Sequence, residues 1–180
     1  TSSTAADTHN DAKRLGKLSG LNVGWREAVR EGVTESDSLR FDIIDHVMLV
    51  VHADVPPSDS DWARMIVVRN ANTAKLRGTL VAAPPRASIN SAQRADVAKY
   101  LKESGTSIAV VTDSALIRGV AMAVGFLGVK VRAFAPNAVP AALTYLAVPE
   151  SRQSTFMRRI EALRAQLDSA ARLSVAPAKP

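Results

Sequence analysis

Few residues in this chain can carry chemistry. With no cysteine and only three histidines, it offers neither thiol chemistry nor a disulfide scaffold. His9 lies in a small, polar N-terminal stretch. That leaves Asp45, His46 and His52 as the carboxylate and imidazole groups that could cooperate. His46 reads as a turn residue and His52 as the end of the strand after it, on the order of 20 Å apart at ~3.3 Å per residue. One metal ion cannot bridge that gap, so no metal or other cofactor is expected. Ser58, His52 and Asp54 can be written as a hydrolytic triad, but only composition supports it, and no Gly-x-Ser-x-Gly elbow presents a nucleophile. A glycine-rich phosphate loop is also missing from the sequence. The chain reads as a non-enzyme.

The remaining polar candidates share a position, just after short apolar runs. Asp54, Ser58, Arg86, Ser88, Asn90, Asp113, Ser114 and Asn137 all occupy such loops. If the runs are parallel strands, these loops converge on one sheet edge, where helix N-termini can hold an anion or a small ligand. Each polar group can equally be a helix cap, worth about 1 kcal/mol. Arg94 and Arg118 stand near helix starts, an unfavourable end of the dipole for a cation. They either reach the loop edge to meet an anion or acidic partner, or are surface arginines without a role.

The elements that must position these groups are legible as a rhythm. Strands are expected at Leu39 to Ile44, Val47 to His52, Gly78 to Ala83, Thr106 to Val111 and Val129 to Phe134. The first two flank Asp45-His46 as a hairpin. Val47 to Val51 is apolar at every position, as suits a strand covered on both faces. Between the others lie helical patterns. One starts at Ser58 with Asp61 as capping-box partner, carries Trp62, Met65 and Ile66, and reaches about Thr73. A second, capped by Asn90 with Gln93 or by Ser88 and Ser91, runs to Ser104 and stops at Gly105. A third follows Thr112-Asp113-Ser114, with a stripe of Leu116, Val120, Ala123, Val124 and Leu127 ending at Gly128. A short helix from Ala138 to Leu146 has Pro140 in its first turn. The fold class that follows is α/β, a mostly parallel sheet with an antiparallel first strand and helical N- and C-terminal extensions.

These elements divide the chain into an N-terminal extension, 1–38, partly disordered or helical around Asn22 to Arg30; an α/β domain, 39–147; an amphipathic helix, 148–174; and a tail, 175–180. In the third segment Phe156, Ile160, Leu163 and Leu167 recur at four, three and four, a narrow seam suited to another helix. That seam is read as a partner helix, with packing on its own domain as the alternative. The formal charge of +6 is not evenly spread: the segment after Pro149 holds Arg152, Arg158, Arg159, Arg164, Arg172 and Lys179 against Glu150, Glu161 and Asp168. Such a helix can meet an acidic protein, an anionic membrane or nucleic acid. Nucleic acid is the weaker reading because no stacking aromatics accompany the charge. No apolar run approaches the ~18–20 residues of a membrane span, the first residues lack a signal-peptide layout, and the absence of Cys agrees with a cytoplasmic chain.

Three phrases carry a resemblance: Val50-Val51-His52 followed by Pro57-Ser58 and Trp62; Asn90-Ser91-Ala92-Gln93-Arg94; and Thr112-Asp113-Ser114-Ala115-Leu116-Ile117-Arg118-Gly119. With the element order, they make residues 39–147 resemble the STAS-like domains of the anti-sigma-factor antagonist superfamily, in an uncharacterised bacterial branch. The resemblance implies a compact β/α superhelix that acts by binding protein partners, as a regulatory or scaffold module, in a larger assembly or a homo-oligomer. It also implies Ser88 and Ser91 as candidate phospho-acceptors. The better-known antagonists carry Asp-Ser-Ser-Gly at that place, and Arg86-Ala87-Ser88-Ile89-Asn90-Ser91 has neither the Asp nor the Gly.

Overall fold

Val47 to Val51 occupy the middle of the structure, each of them essentially inaccessible to solvent. In the computed structural model, which describes residues 38–125 and 129–175, they belong to strand β2 (Val47–His52). Strand β1 (Leu39–Ile44) pairs antiparallel with it, and β3 (Gly78–Ala82), β4 (Ser107–Val111) and β5 (Val131–Phe134) follow in parallel. The sheet order is sequential, β1-β2-β3-β4-β5. Asp45 and His46 both take positive φ, 46° and 68°, the conformation of a two-residue type I′ hairpin turn. The α/β class and the antiparallel first strand are as the sequence pattern predicts. β4 and β5 begin one and two residues later than the apolar runs, and β3 ends one residue earlier.

Sequential parallel order with right-handed crossovers sends every connecting helix to the same face. Helices α1 (Asp59–Asn72), α2 (Ser91–Ser104) and α3 (Ala115–Gly125) are those crossovers. Under α1, Met65 is buried with Leu39, Met48, Val50 and Leu76, while Trp62 and Ile66 are half-buried against the same cluster. Strand alternation turns Val47, Leu49, Val51, Leu80 and Val111 to the opposite face. There they meet α4 (Val139–Tyr145), entered through a 3-10 turn at Pro136–Ala138, and α5 (Glu150–Val175). Gly78 allows close approach on this side, since a Cβ there would sit 2.8 Å from the Leu146 side chain.

The terminal helix is therefore not a partner helix. Phe156, Ile160, Leu163 and Leu167 are buried in the same core as Val47, Leu49, Val51, Leu80 and Val111, with the helix lying along β1 and β2. A sheet face left bare by the crossovers takes up the seam that the sequence pattern assigned to another chain. The boundary drawn at residue 148 likewise disappears, because helix and sheet share one core. The expected helix at Asn22 to Arg30, with Trp25 and Val29, and residues 176–180 of the tail lie outside the described residues.

If α5 is integral, Phe156→Ala lowers the unfolding free energy by about 3–5 kcal/mol, and truncation at Glu150 abolishes cooperative unfolding. Urea denaturation followed by circular dichroism checks both. A truncated chain that keeps its midpoint would return α5 to the role of a detachable arm.

Candidate functional site

The C-terminal ends of the parallel strands do gather several of the polar candidates, though in smaller groups than the sequence implies. Asp54 and Arg86, 32 residues apart, form an ion pair. The Arg86 Nε and backbone N–H each donate to the carboxylate at 2.9 Å, and Nη2 lies 2.8 Å away. The Arg86 side-chain bond, then its backbone bond, holds the Asp54 pKa below the usual carboxylate range. Both side chains are exposed, so this pair orders the loop rather than stabilising the fold.

Most of the others serve as caps. Asn90 and Gln93 make the reciprocal capping box at the start of α2, with bonds of 3.0 and 2.9 Å. Gly105 ends that helix in the left-handed conformation at φ 62°. Ser114 accepts the Ile117 N–H at 3.3 Å and donates its own N–H to Thr112 Oγ1 at 3.1 Å. Arg94 and Arg118 turn back onto their own loops. Arg94 donates to the Ile89 carbonyl at 2.7 Å, and Arg118 reaches the Thr112 carbonyl at 3.5 Å. Asn137 is exposed within the 3-10 turn, and no side chain caps α4. Ser88 and Ser91 are exposed, the latter at the first position of α2.

Ser58 caps α1 as predicted, accepting the Asp61 N–H at 3.2 Å. Asp61, however, does not return a bond to Ser58. Its Oδ2 accepts both the backbone N–H and the hydroxyl of Ser38, at 2.7 and 2.6 Å, and Ser38 Oγ takes the Ser58 N–H at 2.8 Å. Ser38 thus replaces Asp61 in the second half of the box and ties the start of β1 to the start of α1. Burial of Asp61 is the largest single influence on its pKa and raises it. The Ser38 bonds and the ion pair with Arg64 together outweigh burial and leave it lowered.

His52, the base of the triad that composition alone would allow, has no acceptor or donor beside its buried Nδ1 among the described residues, and burial pushes its pKa from 6.5 down to about 4. Desolvation keeps it neutral but gives it nothing to activate. Among the described residues, no group of three or more His, Cys, Asp or Glu could hold a metal ion, and no helix is long and apolar enough to cross a membrane. Sequence reasoning also missed a buried cation. Arg69 stands at the seventh position of the stripe begun by Trp62, where an apolar residue is the norm. Its guanidinium packs 4.1 Å over the Tyr100 ring and 3.3 Å from Asp96, joining α1 to α2. Arg69 Nη2 also donates to Asp96 Oδ1 at 3.4 Å, while Asp96 Oδ2 is held by charge alone.

A cavity of about 500 Å³ opens between these strand ends and α5. Leu80, Ala82, Val111, Val139, Ile160 and Leu167 are among its apolar lining. Asp54, Asp113, Glu161, Arg164 and Asp168 are its charged lining. Two of the basic residues that made α5 look like a cationic arm are engaged elsewhere: Arg159 pairs with Asp42 at 2.5 Å and Arg152 with Asp45 at 2.8 Å. No family model, curated protein or solved structure matches the chain.

The depressed pKa of His52 sets the acid response. Between pH 6.5 and about 4 the unfolded chain binds a proton that the native imidazole refuses, so stability falls as pH drops through this window. The total is about 3 kcal/mol at ~1.4 kcal/mol per pKa unit. Asp54 and Asp61, shifted below the ordinary 3.8, add a further loss only at lower pH. His52→Leu is expected to flatten the upper limb and spare the lower one, measured by urea midpoints across both windows. An unchanged upper limb in the variant would move the effect to another group.

Proposed function

We propose that the chain is a non-enzymatic interaction module, regulatory or scaffolding in role, that docks a second copy of itself through α3. The observation that carries this reading is the inverted exposure of that helix. α3 is the most apolar of the three crossover helices, yet Leu116 is 73% exposed, Met122 63% and Val120 43%. Ala121 is the one α3 residue classed as buried among those described. Leu116 and Val120, the first two residues of the stripe, face solvent, and apolar surface gathered this way on one helix marks a contact site.

A second copy suits this face by charge. The chain carries +6 overall, so two copies repel in general, but α3 contributes only Arg118, which is drawn back to the Thr112 carbonyl. Ala115 and Gly119 lie one turn apart beside Leu116 and Val120, which lets two such helices approach closely. Kinship with STAS-like domains belongs to this proposal and rests on the three quoted phrases. The missing Asp and Gly around Ser88 favour docking over a phospho-switch as the mode of action.

Sedimentation velocity of the wild-type chain and of a Leu116→Asp/Met122→Asp variant tests the proposal. A concentration-dependent dimer is expected for the wild type, weakened at least about tenfold in the variant, roughly 1.4 kcal/mol or more, with an unchanged circular dichroism spectrum. A wild type that remains monomeric, or a variant that dimerises equally well, rejects α3 as the contact.

A further inference from the structure

We propose that the cavity under α5 is a binding site for a small single-chain ammonium compound, an aliphatic body carrying one cationic head. This goes beyond docking through α3 and rests on different residues. The hollow has a structural cause. α5 covers the second sheet face along β1 and β2, but at the C-terminal end of β3 and β4 the strands present small side chains such as Ala82 and end in Ala83-Pro84-Pro85, leaving about 500 Å³ unfilled. That volume lies within the ~300–1,000 Å³ range of small-molecule pockets. Its position, outside the carboxyl ends of parallel strands, is where open α/β sheets receive ligands.

The lining selects the ligand class. Leu80, Val111, Val139 and Ile160 offer only dispersion and desolvation, which suits an aliphatic body. No Phe, Tyr or Trp lines the hollow, and the imidazole of His52 is itself buried in its wall, so no open ring face is offered to a planar base. At the mouth, Asp54 is already neutralised by Arg86. Asp113, Glu161 and Asp168 then stand against Arg164 alone. None of these four is held in an ion pair among the described residues, so their charge is available to a ligand. The mouth is acidic on a chain that is basic overall, and a cationic head is attracted where an anionic head is repelled.

The test is a titration of the full chain with octylammonium, octanol and octanoate, followed by amide NMR shifts. The Glu161→Lys/Asp168→Lys variant is run in parallel, with both substitutions at exposed positions of α5. Saturable binding of octylammonium is expected, with shifts at Leu80, Val111, Ile160 and Leu167. It should be about tenfold tighter than octanol, with octanoate weakest. The charge-reversed variant should prefer octanoate. Three results overturn the proposal: no saturable binding of any probe, the same order of preference in both proteins, or shifts confined to the exposed side of α3.

Discussion

Right-handed crossovers on a sheet of strictly sequential order leave one apolar face without any helix from the crossovers themselves. Every strand from β2 to β5 steps the same way, so α1, α2 and α3 share a side. Val47, Leu49, Val51, Leu80 and Val111 are turned to the other. A bare face of this size cannot remain in water, and the chain must supply its own cover after β5. The seam of Phe156, Ile160, Leu163 and Leu167 is that cover. It explains why β2 is buried on both sides, and why the helix that follows the α/β unit belongs to its core.

The same constraint accounts for the unequal use of the three crossover helices. α1 lies over β1 and β2, where Met65 closes a core with Leu39, Met48 and Val50. α2 is joined to α1 by the Arg69 to Tyr100 contact. α3 sits beyond them at the β5 edge, where the sheet ends and no fourth crossover follows. Among its described side chains Ala121 is the buried one, while Leu116, Val120 and Met122 are left exposed. Apolar residues are tolerated there only if something else removes them from water, which is the physical content of a docking surface.

Periodicity in the sequence announces the sheet because each strand is short, β-branched and bounded by Pro or a capping residue. The Asn90 to Gln93 box and the Asp45-His46 turn follow from local chemistry and were readable for that reason. What periodicity cannot report is which surface an apolar stripe meets. Phe156 to Leu167 and Leu116 to Val120 look alike in sequence, yet one is core and the other is exposed, because layer and sheet edge are decided by topology. Long-range polar contacts were equally hidden. Ser38 stands in for the capping partner of Ser58 from 20 residues away, and no local pattern encodes that. The pairing of Asp54 with Arg86 agrees with the loop-edge argument, whereas Arg94 and Arg118, for which the sequence leaves a loop-edge contact and a surface position equally open, donate to carbonyls of their own loops.

The charge pattern changes meaning once the hairpin is placed beside α5. In the sequence, Arg152 and Arg159 belong to a basic tail suited to polyanions. In the fold, Asp42 and Asp45 of the first hairpin lie against them and take up their charge. These pairs are partly exposed and add little to stability, but they fix how the helix lies along β1 and which residues it presents at its far end. There Glu161 and Asp168 meet the strand-end loop carrying Asp113, so a helix that is basic by composition brings an acidic mouth to the cavity. Where charge is spent matters more than how much there is: the +6 of the chain argues for a polyanionic partner only as long as its arginines are left unpaired.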